Sequence, residues 1–157
     1  YSIGSAYTAV KDPSRTKFVY RDRLWQGADL VGLGVASFGH VNGVHMQNLD
    51  TWETYSAKIL RDELPLGRGY RPSAEERMIR EFVLQLKRGW VRPAHFLDKY
   101  GVDVLQRFAP ALASLDADGC IAHKAPERIA LTRDGLLRVD VLLPRFFLPE
   151  HTGIRYT

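Results

Sequence analysis

Short apolar runs open this chain and helical stripes follow them. The runs are Tyr1 to Val10 and Leu30 to Phe38, the second reading LVGLGVASF. Both are short, contain β-branched residues or glycine, and are bounded by polar turns, which predicts strands. Gly32 and Gly34 inside the second run predict close approach of its backbone to another segment or to a ligand. From residue 50 the texture turns helical. Asp50 and Glu53 have capping-box spacing, Trp52, Tyr55 and Ile59 share a face, and Leu64-Pro65 ends the pattern. Ser73 and Glu76 repeat the box and open the most periodic stripe, Met78, Ile79, Phe82, Val83 and Leu86, with Gly89 placed as the stop.

A short helix is predicted over 93–100, ending at Gly101, and another over 103–117 with a kink at Pro110. Two strands, 120–124 and 127–131, join around Ala125-Pro126. Thr132 then caps a last helix containing Leu136, Leu137, Val141, Leu142 and Leu143, which Pro144 ends or bends. Helices, a hairpin and a closing helix is the order of a winged-helix-like module. The expected core is Met78, Phe82, Leu86, Phe96, Leu105, Leu112, Leu131 and Leu142. The fold class is α+β, mostly helical, with a division into 1–49 and 50–157.

Composition narrows the picture. The 157 residues are 45% hydrophobic and 25% charged, the balance of a globular chain. Apolar runs stay well short of the ~18 residues a membrane span needs. The opening residues lack the basic-then-hydrophobic pattern of a signal peptide; with no initiator Met, Tyr1 reads as a point inside a longer protein, and the single cysteine makes a reducing cytoplasm the expected compartment. The net charge of +4 permits an anionic partner without choosing one. A lone cysteine, Cys120, rules out an internal disulfide and any multi-thiolate metal site made by this chain alone.

The chemistry-bearing motifs read mostly as ordinary structure. Gly32, Gly34 and Gly39 space as GxGxxxxG with no long helix directly after, which is a poor dinucleotide fingerprint. His40 and His45 have no third ligand at a recognisable spacing, and Asp116-Ala-Asp118-Gly119 lacks the rest of a calcium loop. Cys120 reads as a core thiol. No residue of this chain is singled out as catalytic and none as a metal ligand.

Residues 17–48, KFVYRDRLWQGADLVGLGVASFGHVNGVHMQN, resemble the segment that ends the catalytic barrel in the oxygen-independent coproporphyrinogen III oxidase family of radical S-adenosylmethionine enzymes. The matching features are Trp25, Gly27-Ala28-Asp29, the run Leu30 to Gly34, Ala36-Ser37, Gly43 and Asn48; Ser5-Ala6-Tyr7 resembles the preceding strand. Downstream, Glu76, the turn Phe96 to Gly101, the hairpin, and Leu131-Thr132 with Gly135 match in order.

The resemblance implies that 1–49 are the final strands and cofactor-facing loop of a radical SAM barrel. It implies that 50–157 form a helical, winged-helix-like C-terminal domain that covers the barrel and helps bind a porphyrinogen-like small-molecule substrate. The cofactors implied for the parent enzyme are S-adenosyl-L-methionine and a [4Fe-4S] cluster, whose three cysteine ligands would sit in the N-terminal barrel half of the same protein. None is expected on this chain alone, which would be inactive by itself. Phe38, with Ala36 and Ser37, is the implied cofactor-binding position. Haem chaperones and methylating relatives share the resemblance. A rival class is a winged-helix nucleic-acid-binding or docking domain; its recognition helix, 103–117, offers Arg107 against Asp103 and Asp116, so neither nucleic acid nor membrane is the expected partner.

Overall fold

A computed structural model describes residues 1–152; 153–157, the end of the expected second domain, lie outside the described residues. The chain forms two compact units. One joins Tyr1–Val19 to the chain from Met78 onward, and the other is Tyr20–Arg77. Packing therefore divides the chain elsewhere than at 49/50.

The first apolar run is two strands rather than one. β1 (Ser2–Ser5) and β2 (Thr8–Val10) pair antiparallel. The turn forms because the buried Ser5 hydroxyl bonds Thr8 Oγ1 at 2.8 Å and accepts the Tyr7 N–H at 3.3 Å, the local competition by which serine favours turns. Ala6 N–H donates to Lys87 O at 2.8 Å, tying the hairpin to the helical body. Tyr7 donates its hydroxyl to Asp140 at 2.7 and 2.9 Å, and Lys87 Nζ lies 2.9 Å from the same carboxylate. Burial raises the Tyr7 pKa. Burial works against the charges of Lys87 and Asp140, but their bonds to each other and to Tyr7 outweigh it, raising the lysine and lowering the aspartate.

The second unit holds α1 (Val19–Trp25), β3 (Phe38–Val41), β4 (Val44–Asn48), α2 (Trp52–Ile59) and β5 (Leu66–Tyr70). The three strands form an antiparallel sheet in the order β3-β4-β5. Neither α1 nor β5 was expected. The Leu30–Phe38 run is not one strand: Leu30 makes a single bridge to His40, Phe38 opens β3, and between them Gly34 and Ala36 take φ of 101° and 57°, which no extended strand allows. α2 starts from Thr51, whose side chain makes no capping bond, and stops at Ile59, short of Leu64-Pro65. Trp52 and Ile59, expected on a packing face, are exposed.

The body follows its stripes closely. α3 (Ala74–Leu86) opens with the predicted box: Ser73 Oγ accepts from Glu76 N at 3.1 Å, and Glu76 Oε2 accepts from Ser73 N at 2.7 Å. Met78, Ile79, Phe82, Val83 and Leu86 are all buried. A third strand, β6 (Trp90–Val91), precedes α4 (Pro93–Tyr100), which ends on a left-handed Gly101 with φ 69°. The predicted helix 103–117 is two, α5 (Val104–Arg107), capped by Asp103, and α6 (Ala109–Ala117). The break falls at Phe108, with Pro110 in the first turn of α6, where its missing N–H costs nothing.

β7 (Ile121–Ala125) and β8 (Arg128–Leu131) pair as expected, and β6 adds to give the order β6-β8-β7. The last helix is likewise broken, into α7 (Arg133–Leu137), α8 (Val139–Leu142) and a 3-10 turn at Leu143–Phe146 containing Pro144. Thr132 caps α7, accepting from Gly135 N at 3.0 Å. At the centre, the ring of Phe82 lies 5.4, 4.6 and 5.2 Å from those of Phe96, Phe108 and Phe146. Of the expected core residues only Leu105 is partly exposed. Helix exceeds strand, so the α+β, mostly helical class holds in its coarse form.

Candidate functional site

Asn42-Gly43 is the origin of the site's geometry. Both residues take positive φ, 49° and 75°, as a two-residue hairpin turn requires. Once that turn is set, Gly39 opposes Met46, Phe38 opposes Gln47, and the register carries Ser37 to Asn48. Asn48 N–H donates to Ser37 O at 2.9 Å, and its buried side-chain amide donates to Gly32 O at 3.0 Å and Gly34 O at 2.9 Å.

The 32–38 segment is thus a loop held from below by β4. Gly34 N–H donates to the Tyr55 hydroxyl at 3.2 Å. Ala36 N–H donates to Leu49 O at 2.9 Å, and Gln47 Nε2 donates to Ala36 O at 3.0 Å. Ser37 donates its hydroxyl to Leu33 O at 2.7 Å and its N–H to Gly34 O at 3.4 Å. At position 32 a Cβ would sit 2.3 Å from Phe38 O, so only glycine fits. The close approach expected of the glycines is here one of the loop to itself.

These bonds decide what the expected site residues can offer. Ala36 and Ser37 have both backbone polar groups engaged by their own chain, so they present methyl and methylene surface and, at Ser37, a hydroxyl oxygen whose proton is already given to Leu33 O. Phe38 is 60% exposed and Leu33 84%, with Val31 also exposed. The three expected residues stand together as consecutive positions, and what they form is an apolar wall. Such a surface offers a ligand apolar packing, with Ser37 Oγ left only as an acceptor.

The iron–sulfur cluster does not fit this chain. Cys120 is fully buried, with Sγ 3.7 Å from Asp118 O. A Cβ at Gly135 would lie 2.5 Å from Cys120 O, so the helix α7 closes over the thiol. Among the described residues no three His, Cys, Asp or Glu side chains are grouped to hold a metal. His40 and His45 face each other across the hairpin with ring centroids 4.4 Å apart. Asp116 pairs with Lys124 and Asp118 with Arg145, both at 2.7 Å, in a turn closed by Gly119 at φ 67°. No helix among the described residues is long and apolar enough to cross a membrane.

Asn48, Gln47 and Tyr55 are the residues whose part in the site the sequence reading missed. Asn-Gly flanked by Val41 and Val44 is the signal that would have found the hairpin and, by counting outward, the Ser37–Asn48 pair.

No family model matches the chain. It is 27% identical over 135 residues to the oxygen-independent coproporphyrinogen III oxidase of Pseudomonas aeruginosa, covering 82% of this chain and 29% of that protein. Its fold matches the coproporphyrinogen III oxidase of Escherichia coli, described as a radical SAM enzyme. The TM-score is 0.65 at 21% identity, covering 77% of this chain and 29% of the other. The resemblance to this family is borne out, and the chain spans less than a third of the length of the relatives it matches.

Proposed function

We propose that this chain is the C-terminal part of a radical S-adenosylmethionine enzyme resembling oxygen-independent coproporphyrinogen III oxidase. In this reading it covers the catalytic barrel supplied by the N-terminal part of the same protein and helps bind a porphyrinogen substrate. The likeness to two such oxidases, each matched over under a third of its length, supports it. The element order of the body, α3, β6, α4, α5, α6, β7 and β8 with β6 pairing to β8, supports a winged-helix-like cover.

The observation that carries the reading is the wall at Ala36, Ser37 and Phe38. Four side chains or backbone groups from β4 and α2 hold it, yet its largest side chain faces outward. Burying such a ring elsewhere would remove ~1.5–3 kcal/mol of exposed apolar surface from water, which an unpartnered loop leaves unused. Here Phe38 contacts S-adenosylmethionine and Ala36 and Ser37 leave room beside it. The bound cofactor, with a cluster held by the other part of the protein, would supply one-electron chemistry. This chain's residues pack and orient; they move no proton and ligate no metal. Cover, substrate and compartment (the cytoplasm) follow from the same reading, with no nucleic acid among its partners.

Phe38→Ala in the full-length protein tests it. An exposed side chain contributes little to folding, so the melting temperature should stay within about 2 °C while S-adenosylmethionine affinity falls about tenfold. Unchanged affinity in a folded, cluster-loaded variant would remove the loop from the cofactor site.

A further inference from the structure

We infer that Asn48 is the positioning residue of the 32–38 loop: its side-chain amide selects the bent loop over a straight strand and so fixes where Ala36, Ser37 and Phe38 stand. The inference rests on the wall proposed above, but the geometry behind it is independent of any cofactor.

Gly32 and Gly34 are two residues apart. In a strand their carbonyl oxygens would point the same way about 6.6 Å apart, given a rise of about 3.3 Å per residue. The two hydrogens of one amide nitrogen reach acceptors at most about 5 Å apart at ordinary bond lengths. Asn48 Nδ2 bonds both, at 3.0 and 2.9 Å, so the chain between them must be bent. The bend shows in Gly34 at φ 101° and in Ala36, a residue with a Cβ, at φ 57°. A left-handed alanine is strained and persists only where its surroundings over-determine it. The bonds from Ala36 N–H to Leu49 O and from Gln47 to Ala36 O supply part of that constraint; both flank Asn48 in sequence.

The residue type follows. Both acceptors are carbonyls, so the nitrogen end of the amide must face them, and each of its hydrogens has one partner. Asp offers no donor when ionised and sets a carboxylate against two carbonyl oxygens. Ser offers one donor, and Gln is a methylene too long. Asn48 is 8% exposed, so water does not take over either bond. A side chain that makes no contact with the outward face of the loop therefore decides the position of that face.

Backbone amide exchange by NMR on this chain gives the direct readout. Asn48→Ala should speed exchange at Gly34, Ala36 and Ser37 by about tenfold or more, relative to the β3–β4 amides of His40 and Met46. No acceleration in the loop, with the hairpin amides still protected, would overturn the inference. If Asn48→Ala also melts the hairpin, Asn48→Asp read at acid and neutral pH decides. The protonated acid can still donate one bond, so loop protection, corrected for intrinsic exchange, should fall as pH rises through the carboxyl's pKa. Protection independent of pH would again overturn it. In the full-length protein, Asn48→Ala should weaken S-adenosylmethionine about tenfold. A loosened loop with unchanged affinity would keep Asn48 as the loop's anchor and remove the cofactor role from Ala36–Phe38, so the two failures are distinct.

Discussion

The two units solve the same problem with different materials. From Met78 to Phe146 the chain buries nineteen hydrophobic side chains in one cluster centred on Phe82. Between Tyr20 and Arg77 no aliphatic or aromatic side chain is buried apart from two prolines, Pro65 and Pro72; the other deeply covered side chains there include His40 and Asn48, both polar. α1 and α2 bury nothing, and every residue of β5 is exposed. Val31, Leu33, Phe38, Trp52, Leu60 and Leu64 all face outward. Apolar burial is the dominant favourable term in folding, and hydrogen bonds contribute only about 0.5–1.5 kcal/mol each net. The body has an apolar core of its own; residues 20–77 are tied together mainly by hydrogen bonds and leave large apolar side chains exposed.

The largest expected effect lies at the centre of the body. Phe82→Ala should cost about 3–5 kcal/mol in denaturant unfolding, because its ring touches three others and nothing can collapse into the space. A loss below about 1 kcal/mol would erase the contrast between the units.

Next is Glu81, 2% exposed on α3, which accepts from Gln85 at 3.0 Å and from Lys99 and Tyr100 at 2.7 Å, and faces His95 at 2.5 Å. Removing it strands several donors at once, so Glu81→Ala should cost about 1–3 kcal/mol; Lys99 is partly exposed and regains water, which keeps the figure below that for a fully buried pair.

The Tyr7–Lys87–Asp140 clasp sharpens the comparison through pH. Asp140 titrates below an ordinary aspartate, so its contribution is present at neutral pH and fades as pH falls through that lowered value. Lys87 and Tyr7 titrate above their ordinary values, so theirs is present at neutral pH and lost as pH rises through those raised values. Tyr7→Phe should flatten both limbs of a pH–stability curve and cost under about 1 kcal/mol, since the carboxylate is more than half exposed. The smallest effect belongs to the other unit: Leu60→Ser and Leu64→Ser should change stability by no more than about 0.5 kcal/mol while raising solubility. A loss above about 1 kcal/mol would mean those side chains are packed.

The same division governs what could be read in advance. In the body, signal and consequence lie within a few residues: the Ser73–Glu76 box, the α3 stripe, Gly101 and Thr132 each act locally, and each is in place. What escaped there depends on distant pairing, as with β6, a two-residue strand that exists because β8 lies beside it and whose Trp90 ring meets the guanidinium groups of Arg88 and Arg128 at 5.2 and 4.9 Å. In 20–77 the apolar pattern misleads, because LVGLGVASF is a short apolar run bounded by polar turns, as a strand is, while Asn48, ten residues past its end, bends it. The strand LGRGY has no pattern of its own and is set by its register on β4. Phe38, Ala36 and Ser37 could be named from resemblance; that they form a wall, with their polar groups turned inward, depends on that register.

Amide hydrogen exchange on this chain and on the full-length protein tests the central contrast most directly. In this chain, residues 78–146 should exchange slowly as one unit and residues 20–77 faster by about a hundredfold or more. In the full-length protein the body should be unchanged and 20–77 should gain protection, most of all at Leu33 and Phe38. Equal protection of the two units in this chain, with no gain in the full-length protein, would contradict the account.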